Sequence, residues 1–286
     1  MSPPQTATPS PALMPLRRDL RFRLPAERIL DWHEAGGPHI ALFMNTLSLF
    51  FPVGERFFID SVRHYRDRIT DPELKRAVTA FIGQEAMHGR EHQEYNEALF
   101  AAVPCTAELE RGVARFLGFL QRRLPASLQL STTIALEHFT AILADALLSK
   151  PGVLEGTEPH FAALWRWHAL EETEHKAVAF DVWQTLMGRG PRAYVTRSGT
   201  LVVATAIFWA VAIPCYLRVL GAERRLTDLR GWRSFLRYGF TRDRVLLGLI
   251  GPWAGYFRPR FHPWDHDNRR HLADVERILA PYRNAA

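Results

Sequence analysis

One short pattern occurs twice along this chain. A glutamate set among bulky apolar residues is followed by Glu-x-x-His. The first copy is Glu55 in FFPVGERFF with Glu85 and His88 in GQEAMHGREH; the second is Glu137 in TTIALEHFT with Glu172 and His175 in HALEETEH. Spacings of three and four put side chains on one face of a helix. A carboxylate among apolar neighbours is costly unless it finds a partner. In an antiparallel helical hairpin, residues equidistant from the turn face each other. The midpoint of Glu55 and Glu85 is residue 70, inside the turn-forming TDPEL; that of Glu137 and Glu172 falls between 154 and 155, inside KPGVLEG. Both pairs therefore stand about 15 to 18 residues from their turns, roughly 22–27 Å along the helices. Surface acids scattered by chance would not meet this condition twice.

The rest of the sequence agrees with an all-α fold. Apolar positions recur at three and four, and no sustained alternation suggests strands. Residues 39–69 read as one long helical segment interrupted at Pro52 and Gly54. Asp71 is a natural N-cap with Pro72 at the first helical position, opening a helix over 72–100. Further helices are expected at about 106–123, from Pro125 to about Ser149, and over 157–187. Residues 1–16, rich in Pro, Ser and Thr, are expected to be disordered, residues 17–187 to form the bundle, and residues 188–286 a hydrophobic helical region after it.

Glu; Glu-x-x-His; Glu; Glu-x-x-His on four successive helices is the ligand set of ferritin-like di-iron and di-manganese carboxylate proteins. Four carboxylates can neutralise two divalent cations while each histidine adds a nitrogen, a donor set suited to iron, with manganese the alternative. The expected ligands are Glu55, Glu85, His88, Glu137, Glu172 and His175. Without metal these groups would form a buried polar network that is expensive to satisfy. Two more histidines lie one turn away, His92 beyond His88 and His168 before Glu172. With the hairpins related by a pseudo-twofold axis, both should flank the same mouth of the centre. Each can be an added ligand or an acid/base group, or can hydrogen-bond to a glutamate ligand from behind. His138, Glu171 and Glu174 point off the ligand face and read as structural or solvated.

Composition narrows the setting. With 286 residues, 47% of them hydrophobic, the chain can bury a large core. Cys105 and Cys215 stand far apart with no CxxC, which suits a reducing cytoplasm and suggests neither a disulfide framework nor a zinc-thiolate site. No secretory leader is read in residues 1–16. The net charge of +6 rests almost wholly on arginine, without a basic stripe or motif for nucleic acid. Residues 198–217, SGTLVVATAIFWAVAIPCYL, carry no charge and have arginines on both sides. That length can span a bilayer or form a buried helix covering the bundle. The shorter apolar run at 245–257 can lie at an interface. Residues 258–265, RPRFHPWD, read as a rigid turn docking a last helix, with His262 structural rather than part of a third metal site. The location implied is cytoplasmic, with the inner face of the membrane as a contact surface.

The stretches FPVGERFF, FIGQEAMHGREH, ALEHFTA, HALEETEHKAVAFD and YFRPRFHPWD resemble a bacterial family known as predicted metal-dependent hydrolases, over roughly residues 20–282. The bundle motifs alone also resemble di-iron arylamine N-oxygenases, whose fourth helix carries His-x-x-x-Glu-x-x-His with the extra histidine on iron. That likeness implies His168 as the additional ligand and leaves His92 at the mouth. The expectation is a di-iron enzyme that activates O2 to oxidise or oxygenate a small apolar or amphipathic substrate. The alternative is a hydrolase using a metal-activated water, as the family name suggests. Iron storage is disfavoured by the hydrophobic C-terminal region, and the oligomeric state stays open.

Overall fold

The computed structural model describes residues 13–283 apart from 242 and 274. Residues 1–12 of the segment expected to be disordered lie outside the described residues. The helices are α1 (Pro38–Ser48), α2 (Phe51–Arg63), α3 (Pro72–Ala102), α4 (Cys105–Arg123), α5 (Ala126–Leu148), α6 (Pro159–His175), α7 (Val178–Met187), α8 (Pro191–Ala222), α9 (Leu229–Leu236), α10 (Ile250–Gly255) and α11 (Val275–Leu279). No strand occurs among the described residues, and the chain is all-α as expected. Asp71 caps α3 through its carboxylate, which accepts from the Glu73 and Leu74 N–H groups.

Two expected helices are split. The segment 39–69 divides into α1 and α2 because Pro52 has no N–H to donate to the Ser48 carbonyl. Asn96 of α3 satisfies that carbonyl instead, donating from Nδ2 at 3.0 Å. The segment 157–187 breaks after His175, with neither proline nor glycine at the junction. The residue after the break, Lys176, is buried. It donates to the His266 carbonyl at 2.8 Å and to Asn268 Oδ1 at 2.7 Å, and lies over the Trp264 ring. The last expected helix is likewise broken, with 3-10 turns on either side of α11.

Four helices close a ring: α2 packs on α3, α3 on α6, α6 on α5, and α5 on α2. Two apolar clusters fill it. One holds Phe57, Phe81, Ile134 and Phe180, the other Tyr95, Phe139, Phe161 and Trp167. Along α3 the polar residues Gln84 to His92 lie between Phe81 and Tyr95; along α5 Glu137 lies between Ile134 and Phe139. A buried polar layer is thus held at one height between two dry cores.

α8 lies along α5 and α1, with α4 beside it. It is the one helix among the described residues long and apolar enough to cross a membrane, by length and composition. Leu201, Cys215, Tyr216, Val219 and Leu220 are buried, while Val195, Val202, Val203, Ile213 and Leu217 are exposed. The run at 245–257 forms a 3-10 turn and α10, with Ile250 exposed.

Candidate metal centre

The polar layer contains every ligand expected from the sequence. α2 contributes Glu55, α3 Glu85 and His88, α5 Glu137, and α6 His168, Glu172 and His175; all are buried. Glu85, His88, Glu172 and His175 form one group that could hold a metal, and Glu55, His88 and His168 form a second that shares His88. Glu137 stands beside the first group, its Oε2 accepting from His175 Nδ1 at 3.2 Å. Gly89 allows α2 to come this close, since a Cβ there would lie 3.3 Å from Glu55 Oε2.

The unsatisfied atoms of the layer converge. Both oxygens of Glu55, both of Glu85, Glu137 Oε1, His88 Nδ1 and His175 Nε2 are buried without a hydrogen-bond partner. His88 Nδ1 is 3.8 Å from Glu85 Oε2 and 3.9 Å from Glu172 Oε1; His175 Nε2 is 3.6 Å from Glu85 Oε1. Buried polar atoms are rarely left unpaired, and here the atoms left over are metal-ligand types facing one another. Cations among them would satisfy these carboxylate and imidazole atoms, leaving Gln84 Oε1 as the other partnerless side-chain atom on this stretch of α3.

The electrostatics agree. Burial, then repulsion from Glu172 and Glu137, holds the Glu55 carboxyl well above its ordinary range. Burial and three neighbouring carboxylates do the same to Glu85. Burial pushes Glu172 up, but His175 and the donating Thr140 hydroxyl bring it below its ordinary value. Burial pulls His175 down, but Glu172 and Glu137 raise it to about 9. Burial pushes His88 and His92 well below the usual imidazole range, so both are neutral.

The two extra histidines do meet, as the pseudo-twofold argument requires, but they are not equivalent. His92 Nε2 lies 2.7 Å from His168 Nδ1, and His92 Nδ1 lies 2.8 Å from Ser48 Oγ. The proton positions follow from the chain behind them. Asn96 Nδ2 donates to Glu110 and to the Ser48 carbonyl, so Asn96 Oδ1 accepts the Ser48 hydroxyl. Ser48 Oγ then accepts from His92 Nδ1–H. That leaves His92 Nε2 as an acceptor for His168 Nδ1–H, with the His168 Nε2 lone pair aimed into the layer. There it meets Glu172 Oε1 at 3.1 Å and Glu55 Oε1 at 3.7 Å. Two acceptors face each other, an arrangement that a cation between them reconciles. His92, expected beside an open mouth, is fully buried behind His168, under the ring of Phe51.

Several residues of the site carried no sequence signal. Glu171 and Glu174 are buried rather than solvated. Glu171 Oε2 lies 3.1 Å from His88 Nε2, which leaves Nδ1 free for the layer. Arg18, from the extended segment ahead of α1, bonds Glu171 at 3.1 Å and Glu174 at 2.7 Å. Gln84 also donates to Glu174, and the Leu16 N–H reaches it at 3.4 Å. Partners of this kind orient metal-binding histidines and raise their basicity. His138 donates to the Pro252 carbonyl and is structural. His262 pairs with Asp181 at 3.0 Å and caps the turn at Pro263.

Searches of curated proteins and of solved structures return no match. Residues 16–267 match the model of a family described as predicted metal-dependent hydrolases, and the chain belongs to that family.

Proposed function

We propose that this is a di-metal carboxylate enzyme of the ferritin-like type, using two iron ions to activate O2 and oxidise an apolar substrate. The observation that carries the reading is the convergence of partnerless carboxylate and imidazole atoms from four helices in one buried layer. Glu55, Glu85, His88, Glu137, Glu172 and His175 would hold the metals, with His168 as an added nitrogen ligand. Two bound iron ions would supply the electrons and the Lewis acidity that O2 reduction needs.

The protein's own residues do the positioning. Thr140 fixes Glu172 by its hydroxyl, Glu171 fixes His88, and His92 fixes the tautomer of His168. His92 is therefore a positioning residue in this account. A cavity of about 60 Å³ touches His168 and Glu172, walled by Phe43, Met44, Phe51 and Trp165. Its largely apolar wall suits O2 and an apolar substrate, which supports oxidation over hydrolysis. The family description supports the second reading, in which the metals activate a water as nucleophile.

The two readings part on redox. Protein loaded with Fe(II) and, separately, with Zn(II) is mixed with O2 under single-turnover conditions. Oxidation predicts O2 uptake that scales with bound iron and is absent with zinc. Ester or amide cleavage by the zinc form, with no O2 uptake by the iron form, would replace this proposal with hydrolysis.

A further inference from the structure

A second cavity reaches the same centre from another side. It has a volume of about 270 Å³ and lies between α2, α4, α5 and α8. Concave, mostly apolar spaces of roughly this size are where small molecules bind. Its lining forms stripes at helical spacing. α8 contributes Thr200, Val203, Ala204, Ile207, Phe208 and Val211, and α4 with its C-cap contributes Val113, Phe116, Leu117, Leu120 and Leu124. Each stripe runs roughly 16 Å at the rise of a helix, so the space is a channel rather than a round hole. Glu55 is the one charged side chain lining it, and three threonines are its other polar side chains.

The inner and outer walls differ. At the inner end are Glu55, whose oxygens have no partner, and Thr140, which holds Glu172. Partway along the two stripes Val203, Ile207 and Phe116 are at the same time lining residues and exposed, so the space opens to the surface at α4 and α8. Those α8 residues belong to the helix with the length and composition of a membrane span.

We propose that this channel is the substrate site and takes an unbranched hydrocarbon chain, alkyl or acyl, with the methyl end at Glu55 and the polar head outside. The chemistry of the wall sets both parts of this assignment. A long narrow apolar lining selects methylenes. A carboxylate or phosphate head carried along the apolar wall would lose its hydration, whereas the exposed side of the lining leaves it in water. The inference rests on the proposed function for what happens at the inner end, but chain binding itself does not depend on metal.

The probe is stearate carrying a nitroxide either near its methyl end or near its carboxylate, offered free in solution and in phosphatidylcholine vesicles. Metal-free wild-type protein is expected to give an immobilised EPR component from at least one source. Binding from vesicles alone would identify the bilayer as the donor, and binding from solution a free amphiphile; either supports the site. Loading with Mn(II) is expected to broaden the methyl-end label far more than the carboxylate-end label. Gly54 lines the channel, and a Cβ there meets nothing within 4 Å. Gly54→Leu should fill the channel while favouring the helix. Ala204→Phe narrows it from α8, far from the metal ligands. Both variants should lose at least tenfold in affinity with circular dichroism unchanged. Absence of an immobilised component from both sources, wild-type affinity in both variants, or stronger broadening of the carboxylate-end label would overturn the proposal. If wild-type protein binds the chain but takes up no Mn(II), the metal reading fails and the chain site stands.

Discussion

The hairpin α2–α3 and the hairpin α5–α6 carry the same motif, yet their glutamates and histidines live in different surroundings. In the first, Glu55 and Glu85 have no hydrogen-bond partner and are held above the ordinary carboxylate range. In the second, Glu172 accepts from the Thr140 hydroxyl and Glu137 accepts from His175. The extra histidines divide the same way. His168 of the second hairpin turns its free nitrogen inward, whereas His92 of the first is spent on holding His168. Motif symmetry sets where the ligands stand; the residues behind them decide which are satisfied before a metal arrives. The first hairpin thus has more to gain from cations.

That comparison has a pH signature, which also gives the largest expected effect. In metal-free protein Glu55 and Glu85 keep protons that the unfolded chain releases above its ordinary carboxylate pKa. Their contribution to stability therefore falls as pH rises through that range. Metal binding displaces those protons, so its stabilisation grows with pH. At a thousandfold excess over Kd, metal adds about 4 kcal/mol, or roughly 8–16 °C in Tm for a chain of this size. Calorimetry with and without chelator should show that gap, wider at about pH 7.5 than at about pH 5.5. A gap that shrinks as pH rises would mean that Glu55 and Glu85 are not the groups losing protons to the metal.

A smaller effect separates the two extra histidines. In iron-loaded protein, His168→Ala should change the Mössbauer isomer shift and quadrupole splitting, because a nitrogen leaves the iron. His92→Ala should change them little, since it removes only the acceptor behind His168. If His168→Ala matches wild type, His168 is not a ligand. If both variants shift alike, the hairpins are equivalent after all.

Much of this was legible in the sequence, for a local reason. Spacing of three and four fixes which side chains share a helix face, and equal distances from two turns fix their heights; neither depends on distant partners. Glu55, Glu85, His88, Glu137, Glu172 and His175 accordingly meet in one layer. The helix breaks were less visible. Pro52 marked the first, but that Asn96 would take the freed Ser48 carbonyl depends on packing across α3. The break after His175 has no proline or glycine to announce it. Glu171 and Glu174 read only as structural or solvated because their partner, Arg18, is more than a hundred residues away in an extended segment without periodicity. The orientation of His92 follows from a chain of hydrogen bonds through Ser48, Asn96 and Glu110, which no spacing rule contains.

The central claim is that the buried layer holds two metal ions. Elemental analysis of protein purified from iron- and manganese-supplemented cells tests it directly. The account predicts about two Fe or Mn per chain in wild type, and a sharp drop in both Glu85→Ala and Glu172→Ala, one from each hairpin. Full loading in both variants, or wild-type protein with no bound metal, would contradict it.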